Sequence, residues 1–164
     1  MYRRVLVAID GSETSDLALR QAIRLAKAQR ARLRLVHVVD EVATNGAMPC
    51  APTDFWKAVR KAGERILESA RMRAVRDGVE AETKLLENRA FGSVIRRVSN
   101  LIVAEAERWR ADLIVIGTHG RRGLSKLLLG SVADGVVRTS GTSVLLVRGA
   151  GRRAKGSDRT RNAR

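Results

Sequence analysis

Five short apolar runs, separated by longer stretches with a helical period, constrain this chain more than any other feature. "RVLVAI" (4–9) and "DLIVIG" (112–117) are continuous enough to be strands covered on both faces, and "LRLVHVV" (33–39) and "SVLLVR" (143–148) read as strands of the same sheet. "AETKLLE" (81–87) is more polar and alternates, which predicts an edge strand. Ser12, Glu13, Ser15 and Asp16 suit a helix N-terminus ahead of Leu19, Ala22, Ile23 and Ala26, which share one face. Thr53 and Asp54 open a second helix with Phe55, Val59, Ala62, Ile66 and Ala70 as its apolar stripe, stopped by Gly78. Ile95, Val98, Ile102, Ala106 and Trp109 form a third stripe, and Gly130 to Thr139 a short fourth helix ended by Gly141. Residues 40–52, with Gly46, Pro49 and Pro52, read as a loop. This strict alternation predicts a doubly wound α/β domain, a parallel sheet with helices on both faces. In such sheets ligands bind beyond the carboxyl ends of the strands, where the strand order reverses.

The 164 residues are enough for one core. No apolar run approaches the roughly 18 residues a membrane span needs. The five apolar residues before Asp10 are too few for a signal-peptide core, so a cytoplasmic protein is expected. Cys50 is the single cysteine, in the Pro-flanked "MPCAP", which rules out an intramolecular disulfide and reads as a bystander thiol. The net charge is +15, of which residues 149–164 carry six cations and one aspartate. That segment has almost no apolar residues and is expected to be a disordered basic tail after a domain of residues 1–148. Aromatics are only 3% and none interleaves with the tail's arginines, so unspecific polyanion contact is expected rather than sequence reading.

One stretch fits no element. "GTHGRRGLSKLLLGS" (117–131) follows the fourth strand and ends where the last helix begins, and structureless segments of this length inside a domain are usually functional or disordered. It is not a Walker A loop, because no lysine separates Gly130 from a hydroxyl residue, and the first strand is followed by "IDGSE" rather than a dinucleotide fingerprint. What remains is Gly-x2-Gly-x9-Gly-Ser, formed by Gly117, Gly120, Gly130 and Ser131 at a helix start. Glycines allow close backbone approach and a helix N-terminus attracts anions, two properties that suit a phosphate. Arg121, Arg122 and Lys126 add an attractive field.

Taken together, "RVLVAIDGSE", "HVV" at the end of the second strand, "ADLIVIGTHGRRGLSKLLLGSVADGVVR" and the closing "TSVLLVR" resemble the universal stress protein family in its ATP-binding branch, over about residues 2–148. The resemblance implies an adenine nucleotide alpha hydrolase-like fold with five strands in the order 3-2-1-4-5, and a homodimer paired through strand 5. It also implies Ala8 and Asp10 beside ribose and phosphates, Val38 near adenine, Ile116 and Gly117 under the nucleotide, and Gly120, Gly130, Ser131 and Val132 around the phosphates. Asp10 would hold Mg2+ with the ATP.

Plainer readings stand beside these. Asp10 also fits as a turn cap, His37 as a hydrogen-bonded core residue, His119 as a phosphate contact or a bystander, and the glycines as turn formers. Three functions follow: a dimeric ATP-binding regulator of the stress response, a slow ATP-hydrolysing or phosphotransfer enzyme, and a nucleic-acid-binding protein. The first needs only features already visible. The second lacks a positioned nucleophile beyond His119 or Asp10, and the third leaves the spaced glycines unexplained. No His, Cys and carboxylate cluster has metal-ligand spacing, and Ser143 has no base to activate it.

Overall fold

The computed structural model describes residues 1–40, 53–88, 97–118 and 129–149. Five parallel strands, β1 (Arg4–Ala8), β2 (Arg32–Asp40), β3 (Ala81–Asn88), β4 (Leu113–Gly117) and β5 (Ser143–Val147), form one sheet in the order β3-β2-β1-β4-β5. The strand order therefore reverses between β1 and β4, which pair directly from Val5↔Leu113 to Ala8↔Ile116. The polar "AETKLLEN" strand lies at one edge, as its alternation predicts, and β5 at the other.

The described helices are α1 (Glu13–Gln29), α2 (Thr53–Arg76), α3 (Val98–Trp109) and α4 (Ser131–Thr139). Alternation along each strand splits the core in two. Val5, Val7, Leu33, Leu35, Leu113 and Val115 pack under α1 and α2, whereas Leu6, Val36 and Ile114 pack under α3 and α4. β1 and β4 are buried along nearly their whole length because both faces are covered.

Local chemistry sets the helix ends. Ser12 caps α1 by accepting from the Ser15 N–H at 3.2 Å. α2 gives way to Gly78, at φ +76°, a left-handed position that glycine adopts without a Cβ penalty. Two expectations are corrected. The buried stripe of α2 is Gly63, Leu67, Ala70 and Ala74, with Ala62 exposed, because Gly63 faces the sheet, where a Cβ would come within 2.9 Å of both His37 and Leu85. Asp40 belongs to β2 rather than to the following loop, since it pairs with Asn88 in the ladder. Ile95, placed at the start of the third stripe, lies outside the described residues, while Ile102, Ala106 and Trp109 are buried as expected.

A charged network underlies α3. Arg34 of β2 bonds Glu105 at 2.7 Å and also Glu82, and its guanidinium lies 4.7 Å from the Trp109 ring centroid. Glu105 is almost wholly buried and accepts a second guanidinium from Arg108 at 2.6 Å. Taking these charges out of water is offset only while both partners remain.

Candidate functional site

The site is built where β1, β2 and β4 run out. After Ala8 the ladder continues for one bond, Ile9 N–H donating to the Val36 carbonyl at 2.8 Å, and the chain turns through Asp10 and Gly11, the latter at φ +81°. Asp10 is half-buried and its Oδ1 accepts the Ser12 N–H at 2.9 Å. The turn-cap reading of Asp10 is thus realised in the geometry, and it leaves the carboxylate at the carboxyl end of β1.

On the neighbouring strand, Gly117 has a packing reason of its own. A Cβ there would lie 2.9 Å from the backbone carbon and 3.0 Å from the carbonyl oxygen of Thr14, in the first turn of α1. Thr118 follows, buried, with its N–H donating to the Val147 carbonyl at 2.9 Å and its own carbonyl accepting the Gly130 N–H at 2.8 Å. The long glycine-rich connection therefore leaves and rejoins the sheet at one point. That junction delivers the start of α4 to the end of β4. Gly130 is the residue before the helix, in an extended conformation (φ −61°, ψ 146°), and no side chain caps the first turn. Ser131 is exposed and Val132 half-buried.

Ala8, Val38, Ile116 and Val132, nominated separately from the sequence, belong to one apolar cluster on the α3/α4 face. Ala8 and Ile116 are ladder partners, and Val38 lies one strand over, on β2. The structure thus brings these four together with Gly117, Gly130 and Ser131 around the carboxyl ends of the strands. Gly120 and Arg121 lie outside the described residues, as do His119, Arg122, Lys126 and Cys50. His37 is a core histidine, its Nδ1 donating to the Ile9 carbonyl at 2.7 Å on the α1/α2 face. A groove between α1 and α2, floored by Leu19 and Ile23, is on that same far face.

Sequence reasoning passed over Thr14, Thr118 and the Asp40–Asn88 pair. Asn88 is buried, and its Nδ2 donates to Asp40 Oδ1 at 2.8 Å. The only signal for these residues is adjacency to a strand end, which many neutral positions share. Among the described residues no three His, Cys, Asp or Glu side chains converge to hold a metal. Asp10 alone suits a Mg2+ ion that arrives with phosphates, because this ion commonly takes one or two carboxylates and completes its shell with phosphate oxygens and water.

The sequence profile of the Universal stress protein family matches residues 1–148. The chain belongs to the universal stress protein family. Universal stress protein YxiE of Bacillus subtilis is 38% identical over 156 residues, covering 90% of this chain and 100% of that protein. A crystal structure of a universal stress family protein from Burkholderia pseudomallei is 35% identical, with a TM-score of 0.69, over 89% of this chain and 96% of that one. A universal stress protein crystallised in complex with cAMP is 29% identical, with a TM-score of 0.65, over 89% of this chain and 97% of that one. The five-stranded order observed here is that of a universal stress protein domain, as the sequence resemblance implied.

Proposed function

We propose that this protein is a nucleotide-binding regulator that takes ATP, with Mg2+, at the carboxyl ends of β1, β2 and β4, and works in the cytoplasm as a dimer paired through β5. The observation that carries the reading is the junction of Thr118 and Gly130, whose 2.8 Å hydrogen bond presents the uncapped first turn of α4 beside the apolar row of Ala8, Val38 and Ile116. An apolar row suits a nucleoside, and a helix N-terminus with unpartnered N–H groups suits the phosphates that follow it. In this reading Val38 lies against adenine, Ile116 and Gly117 under the nucleotide, Ala8 and Asp10 beside ribose and phosphates. Gly120, Arg121, Gly130, Ser131 and Val132 surround the phosphates. Mg2+ bridges phosphate oxygens to Asp10 and removes the repulsion between that carboxylate and the nucleotide.

The cAMP complex of a relative supports an adenine nucleotide as the ligand class. Support for the dimer comes from the apolar edge "SVLLV", because an open edge strand invites pairing. Residues 1–148 form the binding domain, and the basic residues 149–164 are an appendage whose +5 charge attracts polyanions at low salt. The decisive experiment is to denature the purified protein, identify any released nucleotide, and titrate ATP into the refolded or stripped protein with and without Mg2+. Binding of ATP that strengthens with Mg2+, and loses that dependence in Asp10→Ala, is the expected result. Stripped, folded protein that takes up no nucleotide refutes the assignment.

A further inference from the structure

The apolar row on the α3/α4 face ends in a polar pair. Val38 and Leu86 both pack into that cluster and are partners in the β2–β3 ladder, as are Asp40 and Asn88 two residues further on. Side chains alternate along strands, so Asp40 and Asn88 share the face of Val38, displaced by about 6.6 Å toward the carboxyl end. A purine ring is about as wide as that displacement, so a base lying against Val38 has an edge within reach of Asp40.

The pair is built rather than incidental. Asn88 is only 3% exposed, at the end of an edge strand where an aliphatic residue would bury more favourably, and its Nδ2 donates to Asp40 Oδ1 at 2.8 Å. That bond fixes the plane of the carboxylate and favours its ionised form. An ionised carboxylate is acceptor-only. It accepts from the 6-amino group of adenine and repels the 6-oxo group of guanine or hypoxanthine, the same discrimination by which acidic side chains read exocyclic amines in nucleic acids.

We propose that Asp40 is a specificity-determining residue that reads the 6-position of the purine, with Asn88 as its positioning residue, and that this pair makes the site prefer adenine nucleotides. The proposal rests on the nucleotide site proposed above. The test is calorimetric titration of ATP, GTP and ITP, all with Mg2+, into the full-length stripped protein and into Asp40→Asn and Asn88→Ser, each checked for folding by circular dichroism. ITP carries the 6-oxo group without the 2-amino group of guanine, so it isolates the 6-position. Wild type binds ATP at least about tenfold more tightly than either GTP or ITP, because a site that hydrogen-bonds a polar group rejects the analogue lacking it. Asp40→Asn, whose amide can turn to donate to an oxo group, brings ATP and GTP to within about threefold of each other, and Asn88→Ser falls between. Wild type that holds ITP as tightly as ATP overturns the proposal while leaving the nucleotide site standing, as does a folded Asp40→Asn or Asn88→Ser with an undiminished preference. Wild type that binds none of the three overturns both.

Discussion

Gly117 and Gly130 belong to one sequence motif, yet the structure assigns them different physical reasons, and substituting each separates the two. In Gly117→Ala the new methyl would sit 2.9 Å from the Thr14 backbone carbon, 3.0 Å from its carbonyl oxygen and 3.1 Å from its Cβ. Comfortable carbon contacts are about 3.5–4.0 Å, so the start of α1 must retreat by about half an ångström or more. Overpacking of this kind costs about 1–3 kcal/mol, and the upper half of that range applies because the obstacle is backbone rather than a rotatable side chain. The alanine returns about 0.4–1 kcal/mol by restricting the unfolded chain. The net loss is about 1–2.5 kcal/mol, a fall in Tm of about 3–10 °C for a domain of this size. Gly130 is extended (φ −61°, ψ 146°), a conformation open to any L-residue, so Gly130→Val costs about 1 kcal/mol or less as a poorer residue ahead of the helix. Its effect falls on ligand: a branched side chain where phosphate lies weakens ATP at least about tenfold, or about 1.4 kcal/mol. Thermal denaturation followed by circular dichroism, with calorimetric ATP titration of each variant, reads both. An unchanged Tm in Gly117→Ala refutes the packing argument, and normal ATP affinity in a folded Gly130→Val refutes the phosphate cradle.

Three further outcomes are expected. Glu105→Ala leaves the mostly buried Arg34 guanidinium with Glu82 alone and lowers unfolding free energy by about 3 kcal/mol in urea titrations, whereas the double change Arg34→Met with Glu105→Leu recovers most of the loss. The hydrogen bond from Arg34 holds the Glu82 carboxyl below its usual 4.5, with Arg32 adding to the effect, so the stability that wild type holds over Glu82→Gln is present above about pH 4.5 and vanishes as pH falls through the lowered value. Urea midpoints of the two proteins compared between pH 3 and 7 check this, and a gap that persists at the lowest pH contradicts it. Leu146→Lys places a charge on the half-exposed β5 edge and is expected to give a folded monomer by sedimentation where wild type sediments as a dimer, so a wild-type monomer at micromolar concentration removes β5 as an interface.

Much of the fold was legible because it depends on periods that a linear sequence displays. Continuous runs such as "RVLVA" and "LIVIG" are recognisable wherever both faces of a strand are covered, and the Ser12 cap or the Gly78 stop needs only neighbours within a turn. The candidate site was legible in part for the same reason, since Gly117, Gly130 and Ser131 are local features of a strand end and a helix start. Distances across the fold were not. That Gly63 faces His37, turning the α2 stripe by one residue, depends on how closely a helix approaches the sheet. That Gly117 answers to Thr14, that Thr118 closes the glycine connection onto Gly130, and that Asn88 holds Asp40 each depend on residues brought together by strand order. Sequence alone determined the alternation of elements and the residue types at their ends, because period and capping are set by adjacent residues. Tertiary structure decided which strand ends meet and which glycines are packing and which face open helix termini, because contact between distant segments follows from the sheet's order and not from any local pattern.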